Sequence, residues 1–266
     1  MGKSDKRASR EKATAERPGR LEILRVPGIP EIRKGDDLAR ELIGAMRRAA
    51  ISFAHGDVLV IAQKIVSKAE GRVVRLTRVR PSPETVPLAA KLKRDPRLVE
   101  VILKESRRIV RSDPVLIVET HHGFVCANAG VDQSNLPGGD AASLLPRDPD
   151  RSARRLAAAL RKRTGKRVAV IVSDTFGRPW RLGLMNVAIG AAGVPALVDL
   201  RGERDLHGKP LHATVLAVAD ELAAAAGLVM GKANGVPAVI VRGYPYRWVI
   251  EPAARIIRPA KEDLFR

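Results

Sequence analysis

The sequence predicts an α+β protein with a mixed sheet and flanking helices, and three observations carry that expectation. Short apolar segments at Val58–Ala62, 167–173 and 236–241 have the length and β-branched content of buried strands. Ala-rich stretches of helical character, at 151–164 and 213–228, lie between or beside them. No internal repeat orders the chain, and the Gly- and Asn-rich stretch 128–140 is loop-like. The expected body is therefore two lobes divided near residues 140–150.

Residues 1–20 hold seven basic and three acidic residues without apolar periodicity, which predicts a disordered basic tail ahead of a folded domain at 21–266. Residues 21–26 alternate like a strand until Gly28-Ile29-Pro30 breaks it. Asp36 and Asp37 stand where a cap belongs, before a helix reaching Ala50. His55-Gly56-Asp57 is a turn into the strand Val58–Ala62, and a second short strand follows at 73–76. Residues 84–111 read as two helices broken at Asp95-Pro96, with Arg107 and Arg108 on a solvated helix face. Segments 115–119 and 123–127 form a strand pair around His121-His122. Then come the helix 151–164, a central strand 167–173 and a closely packed small-residue helix over 184–193. A strand at 196–200, the helix 213–228 and the strand 236–241 complete the order.

Composition narrows the function. Apolar residues are 45% and aromatics 3%, so Ala, Val, Leu and Ile must fill the core. No apolar run approaches the roughly 20 residues that span a bilayer, and the N-terminus lacks a signal-peptide stretch, so a cytoplasmic protein is expected. The single cysteine, Cys126, excludes an intrachain disulfide and an all-cysteine metal site, and its setting is that of a small buried residue. The net charge of +19 attracts anions, among them nucleic acid, a polyphosphate nucleotide or an acidic metabolite. A nucleic-acid-binding protein is disfavoured, because four Phe, two Tyr and two Trp offer few stacking platforms and no helix-turn-helix or zinc-finger pattern is present.

Four segments carry candidate chemistry. Ser173-Asp174-Thr175 closes the central strand, where an Asp and a neighbouring hydroxyl supply hard oxygen donors for Mg²⁺, or where Asp174 simply caps a turn. Arg178 and Arg181 follow and can hold phosphate oxygens. The loop from Asn128 to Asn135 offers Asp132 as a second carboxylate, or uses its Asn, Asp and Gly residues for turn geometry alone. Gly231-Lys232 resembles a phosphate loop but fails the Walker spacing: Gly227 is one residue too close, and Ala233 stands where Ser or Thr is required. Lys68, in Ser67-Lys68-Ala69-Glu70-Gly71, either meets a phosphate or is a surface lysine in a turn. The histidines form no zinc pattern and are read as structural. By themselves these residues point to a metal-and-phosphate enzyme.

In order along the chain, Gly28-Ile29-Pro30, Gly35-Asp36-Asp37-Leu38, Ser67-Lys68-Ala69-Glu70-Gly71-Arg72, the stretch from Phe124 to Asn135, Ser173-Asp174-Thr175-Phe176-Gly177-Arg178-Pro179-Trp180-Arg181 and Asp199-Leu200-Arg201-Gly202 resemble the coenzyme F420:L-glutamate ligase family, here as a stand-alone ligase domain. Asn186 with Ala188-Ile189-Gly190 extends the match. The resemblance implies an intertwined-dimer ligase fold and a homodimer. It implies a GTP-dependent ligase that adds L-glutamate to F420-0 through an acyl phosphate, releasing GDP, with further γ-linked glutamates as an extension. A ligase of the same chemistry acting on another acidic acceptor is the alternative. By the same resemblance Asp132, Asp174 and Thr175 bind Mg²⁺ or Mn²⁺, with K⁺ a further candidate, and Asp132, Asp174 and Arg178 are catalytic. Ile29, Pro30, Glu31, Ile32, Gln63, Lys64, Lys68, Asn135, Met230, Gly231, Lys232, Ala233, Asn234, Gly235, Val236 and Pro237 match nucleotide-binding positions. Lys232 stands where archaeal relatives often carry Glu or Gln, and a cation there favours contact with phosphate.

Overall fold

A strand buried on both faces has no polar side to show, and the central strands of this chain are unbroken apolar runs for that reason. A computed structural model describes residues 19–136, 139–232 and 234–263. The predicted tail at 1–20 therefore falls almost wholly outside the described residues, as does Ala233.

The elements run β1 (Glu22–Arg25), α1 (Leu38–Arg48), β2 (Val58–Ala62), α2 (Gln63–Ala69), β3 (Val73–Arg75), α3 (Thr85–Lys91) and α4 (Pro96–Lys104). They continue with β4 (Ser106–Arg111), β5 (Ile117–Thr120), β6 (Val125–Ala127), β7 (Ala141–Ser143), α5 (Pro149–Thr164), β8 (Ala169–Arg178) and β9 (Arg181–Ala192). The last are β10 (Val198–Asp199), β11 (Val215–Leu216), α6 (Val218–Met230) and β12 (Ala238–Arg242). The expected α+β class and mixed sheet are both present.

The main sheet has the order β1-β12-β2-β8-β9. Only β2 and β8 pair in parallel, and the other neighbours are antiparallel. Leu59, Ile61, Val170, Val172 and Ile240 face one way, onto Leu42 and Met46 of α1 and Leu156 and Leu160 of α5. Val58, Val60, Ala169, Ile171, Val239 and Val241 face the other, onto Leu222, Ala223 and Ala226 of α6. Asp57, fully buried at the head of β2, takes both Nε and Nη2 of Arg242 at 2.8 Å and so clamps β2 to β12. A third cluster lies apart, where α4 packs Leu98, Val99 and Ile102 against Leu116 and Val118 beside the small sheet β4-β5-β6.

Local signals explain the helix starts. Asp37 accepts the Arg40 amide at 3.0 Å and Asp148 the Arg151 amide at 2.8 Å, as caps should. Gly165 ends α5 at φ 69°, a left-handed conformation that costs glycine nothing.

Two expectations are overturned outright, and the helix expected from 213 begins only at Val218, after strand β11. The helix expected over 184–193 is strand β9, hydrogen-bonded to β8 from Val170↔Ala192 to Arg178↔Arg181. Its inner half is buried on both faces, so the polar alternation that marks a strand is missing. Small size has a different cause from helix packing: a Cβ at Gly190 would overlap the Pro149 backbone carbonyl, where the start of α5 crosses the strand. Arg107 and Arg108 lie on strand β4, not a helix, and both pair with Glu119 of β5. Helical periodicity in α4 runs straight into that strand with no glycine or proline to mark the change. The expected strand pair 115–119 and 123–127 is present as β5 and β6.

Gly190→Ala should lower unfolding stability by roughly 3 kcal/mol or more, because backbone and not a flexible side chain must give way. Urea denaturation of the purified variant measures this, and a midpoint equal to wild type would refute the close approach.

Candidate functional site

The parallel pairing of β2 and β8 ends at the register Ala62↔Ser173, where β2 leaves the sheet and β8 runs on paired only with β9. The carboxyl ends of parallel strands are where α/β sheets receive ligands. Here β2 turns directly into α2, which delivers Lys64 and Lys68, while β8 continues past the pairing through Asp174 and Thr175. Asp174 does not cap a turn, since β8 runs on through it to Arg178.

Asp132 arrives from the loop after β6. Its backbone is pinned to Ser143 by two hydrogen bonds, of 3.1 and 2.8 Å. Lys64 Nζ donates to Asp132 Oδ2 at 2.7 Å and to Ser134 Oγ and O at 2.7 and 2.9 Å. The Ser134 amide closes the ring on Asp132 Oδ1 at 2.7 Å. Burial resists ionisation of Asp132, but the Lys64 ammonium and the Ser134 amide outweigh it and hold the carboxyl below its ordinary range.

Asp174 is in the opposite condition. Burial pushes its pKa up to about 6; the Thr175 amide opposes this, the Asp132 charge adds to it, and Lys232 and Lys64 pull it down. The two carboxylates and two ammoniums thus feel one another. Thr175 lies beside them: its hydroxyl donates to Asn186 Oδ1 at 3.0 Å and accepts from Lys232 Nζ.

A second cluster is one helical turn away on α2. Lys68 is buried, not a surface lysine in a turn, and donates to Glu31 Oε1 at 2.7 Å and to the Asn135 carbonyl at 3.0 Å. This joins the segment after β1 to the Asp132 loop. Pro30, Glu31 and Asn135 are exposed, and Ile29 packs against the core. Ile32 and Gln63 are buried, with Gln63 Oε1 taken by Ser67 Oγ at 2.8 Å, so only their backbone can face a ligand.

The loop 230–237 is tied at both ends. Met230 Sδ accepts from Asn186 at 3.5 Å, and the Pro237 carbonyl accepts the Ala62 amide at 2.8 Å. Gly231, Lys232, Asn234 and Gly235 are exposed between these anchors, and Val236 is half-buried.

Arg178 stands apart. Four residues beyond Asp174, it is roughly 13 Å along the strand, and its Nη2 donates to the Leu182 carbonyl at 3.0 Å within the hairpin end. Cys126 is buried as expected, and burial, then the Asp174 charge, push its thiol up to about 12, so it is no nucleophile at neutral pH. His121 and His122 bond the carbonyls of Lys104 and of Pro146 and Arg147. Sequence reasoning assigned no role to Ser134 or Asn186. The pairing Thr175↔Asn186 that reveals the latter exists only once 184–193 is recognised as a strand.

Among the described residues no three His, Cys, Asp or Glu side chains converge for a metal. The donors at hand, two carboxylates and the Thr175 hydroxyl, suit Mg²⁺ or Mn²⁺ nonetheless, because such ions take one or two carboxylates and complete their shell with water and phosphate. Burial, with the Asp132 charge added, lifts Asp174, and a divalent cation would relieve both.

The family model described as F420-0:Gamma-glutamyl ligase matches residues 28–243. The coenzyme F420:L-glutamate ligase of Methanothermobacter thermautotrophicus is 49% identical over 253 residues, covering 92% of this chain and 99% of that protein. The protein of the same name from Methanopyrus kandleri is 50% identical over 257 residues, covering 93% and 100%. That of Archaeoglobus fulgidus is 45% identical over 225 residues, covering 84% and 88%.

An acid whose folded pKa is raised favours the folded state while protonated and loses that contribution as pH rises through about 6. Asp174→Asn should therefore stabilise the chelator-treated protein at pH 8 by about 2 kcal/mol, and leave it unchanged at pH 4. Thermal unfolding at the two pH values tests this; a melting temperature at pH 8 equal to or below wild type would contradict it.

Proposed function

The chain belongs to the F420-0:gamma-glutamyl ligase family, and on that premise we propose that it joins L-glutamate to coenzyme F420-0, driven by conversion of GTP to GDP. The observation that carries the reading is the meeting of Asp132 and Asp174 with Lys64 and Lys232 at one sheet edge. Such a mixture of fixed acids and bases is what phosphoryl transfer to a carboxylate demands, since two anions must be brought together.

In the first step a carboxylate oxygen of F420-0 attacks the γ-phosphorus, the bond to the β,γ-bridging oxygen breaks, and GDP leaves. In the second the glutamate amine attacks the acyl carbon, phosphate leaves, and the amine proton passes to water. Further γ-linked glutamates would be added by the same steps at a γ-carboxylate.

Asp132, Asp174 and Thr175 would hold Mg²⁺ or Mn²⁺, with K⁺ as a further ion, and the divalent ion supplies charge neutralisation for the triphosphate. Lys64 keeps Asp132 ionised and placed for that task. Lys232, on an exposed loop beside Thr175, is positioned to meet phosphate oxygens once they displace its present contact. Pro30, Glu31, Lys68 and Asn135 form the neighbouring wall for the nucleotide. Arg178 enters this scheme only as a binding residue for an anionic substrate or a partner's site, given its place at the hairpin end.

We place the reaction in the cytoplasm as part of this reading; separately, no helix among the described residues is long and apolar enough to cross a membrane. A homodimer accords with the exposed Trp180, Leu182 and Leu184 on the β8–β9 hairpin, an apolar surface that a second copy would cover.

Incubation with GTP, Mn²⁺ or Mg²⁺, L-glutamate and F420-0 should give GDP and a product heavier by one glutamate residue, read by mass spectrometry. GDP release without that mass gain would transfer the chemistry to another acidic acceptor. Lys64→Met should lower kcat roughly 100-fold with circular dichroism unchanged; full activity would remove Lys64 from the site.

A further inference from the structure

The geometry points to Asn186 as a positioning residue that aims the Thr175 hydroxyl, an inference that rests on the reading of Thr175 as a cation ligand. Asn186 lies directly across the β8–β9 ladder from Thr175. A side-chain amide can offer either its oxygen or its NH₂, and here the choice is forced. Nδ2 faces Met230 Sδ at 3.5 Å, an atom that only accepts, so Oδ1 is turned to Thr175 and takes its hydroxyl proton at 3.0 Å.

A hydroxyl has one proton and two lone pairs. With the proton committed to Asn186, the Thr175 oxygen presents both lone pairs outward. Lys232 Nζ meets one. The other is left for a cation, and no rotation of the hydroxyl brings its proton to face that cation. Without Asn186 the hydroxyl would turn freely, and its proton could face the cation in place of a lone pair.

Helix α6 holds the amide in this pose. A Cβ at residue 227 would lie 3.1 Å from Asn186 Cγ and 3.2 Å from Nδ2, so Gly227 is what lets the amide lie flat against the helix. Three residues later the same helix supplies Met230, and beyond its end the chain delivers Lys232. One element therefore sets the lone pairs of Thr175 and places the ammonium that shares them.

The test is Mn²⁺ binding by calorimetry, with and without GDP, on the full chain. Asn186→Leu, close in volume, should weaken Mn²⁺ binding roughly tenfold, as should Thr175→Val, and the double variant should be no weaker than either alone. In turnover of Asn186→Leu the Mn²⁺ concentration for half-maximal rate should rise while kcat at saturating Mn²⁺ returns to near wild type. Gly227→Ala supplies an independent arm: alanine favours the helix, yet its methyl presses on the Asn186 amide, so Mn²⁺ binding should fall without loss of thermal stability. Asn186→Leu and Gly227→Ala proteins that bind Mn²⁺ as wild type does, while Thr175→Val does not, would overturn the role of Asn186 and leave the ligand reading standing. Thr175→Val with unchanged Mn²⁺ affinity, or wild-type protein that binds no Mn²⁺, would overturn the ligand reading and this inference with it.

Discussion

Everything at the candidate site depends on the parallel register that sets Ala62 beside Ser173. It ends the parallel pairing at one point, beyond which Lys64 comes from the first turn of α2 and Asp174 and Thr175 from the continuing β8. The third wall hangs from the same point, because the Ala62 amide also holds the Pro237 carbonyl and so the loop that carries Lys232. A slip of one residue in β2 would turn Leu59 and Ile61 out of one core and into the other, since side chains alternate between faces. The two apolar clusters that flank the sheet thus fix the chemistry at its edge.

The cost of that arrangement is electrostatic. Two carboxylates share a partly buried space, and neither is treated alike. Asp132 receives an ammonium and an amide and stays ionised, whereas Asp174 receives only a backbone amide and more distant cations, and drifts towards neutrality. The asymmetry suits the proposed function: one acid stays charged, and the other would answer to a cation that arrives. It also distinguishes the site from the general positive charge of the chain. Elsewhere arginines are spent on structure, as Arg72 is on Glu105, Arg97 on Asp95 and Asp140, and Arg242 on Asp57. Net charge attracts anions to the molecule at large, and under the proposed function the lysines at the sheet edge would be where one settles.

Much of this was legible from the residues, and the exceptions have physical causes. The strand Val58–Ala62, the cap at Asp37 and the pair around His121-His122 each carry their own local signal, and each appears where expected. Asp132, Asp174, Lys64 and Lys68 were visible as candidates, but not their contacts, which span 68 residues of chain for Lys64 and Asp132. The failure at 184–193 is the instructive one. Small apolar residues suit a tight helix interface and a strand crossed by another backbone equally well, and only the position of Pro149 over Gly190 separates the two. Misreading that strand hid Asn186, since a residue's partner across a ladder has no trace in local periodicity.

The same fact explains why each segment spoke faintly alone. No stretch of this chain holds a complete binding motif: the Gly231 loop lacks Walker spacing, the Asp132 loop offers one carboxylate, and β8 offers one carboxylate flanked by the Ser173 and Thr175 hydroxyls. Each is a partial donor set that bulk water would serve as well. Their value comes from being held together by a sheet whose register is set by apolar burial on both faces, so that lysines, carboxylates and the Thr175 hydroxyl do not have to find one another when a ligand binds. Preorganisation of that kind transfers the entropic cost of assembly from the binding step to folding. A site built this way gives weak motifs and strong geometry, and its decisive residues include some, such as Asn186 and Gly227, that touch only other parts of the protein.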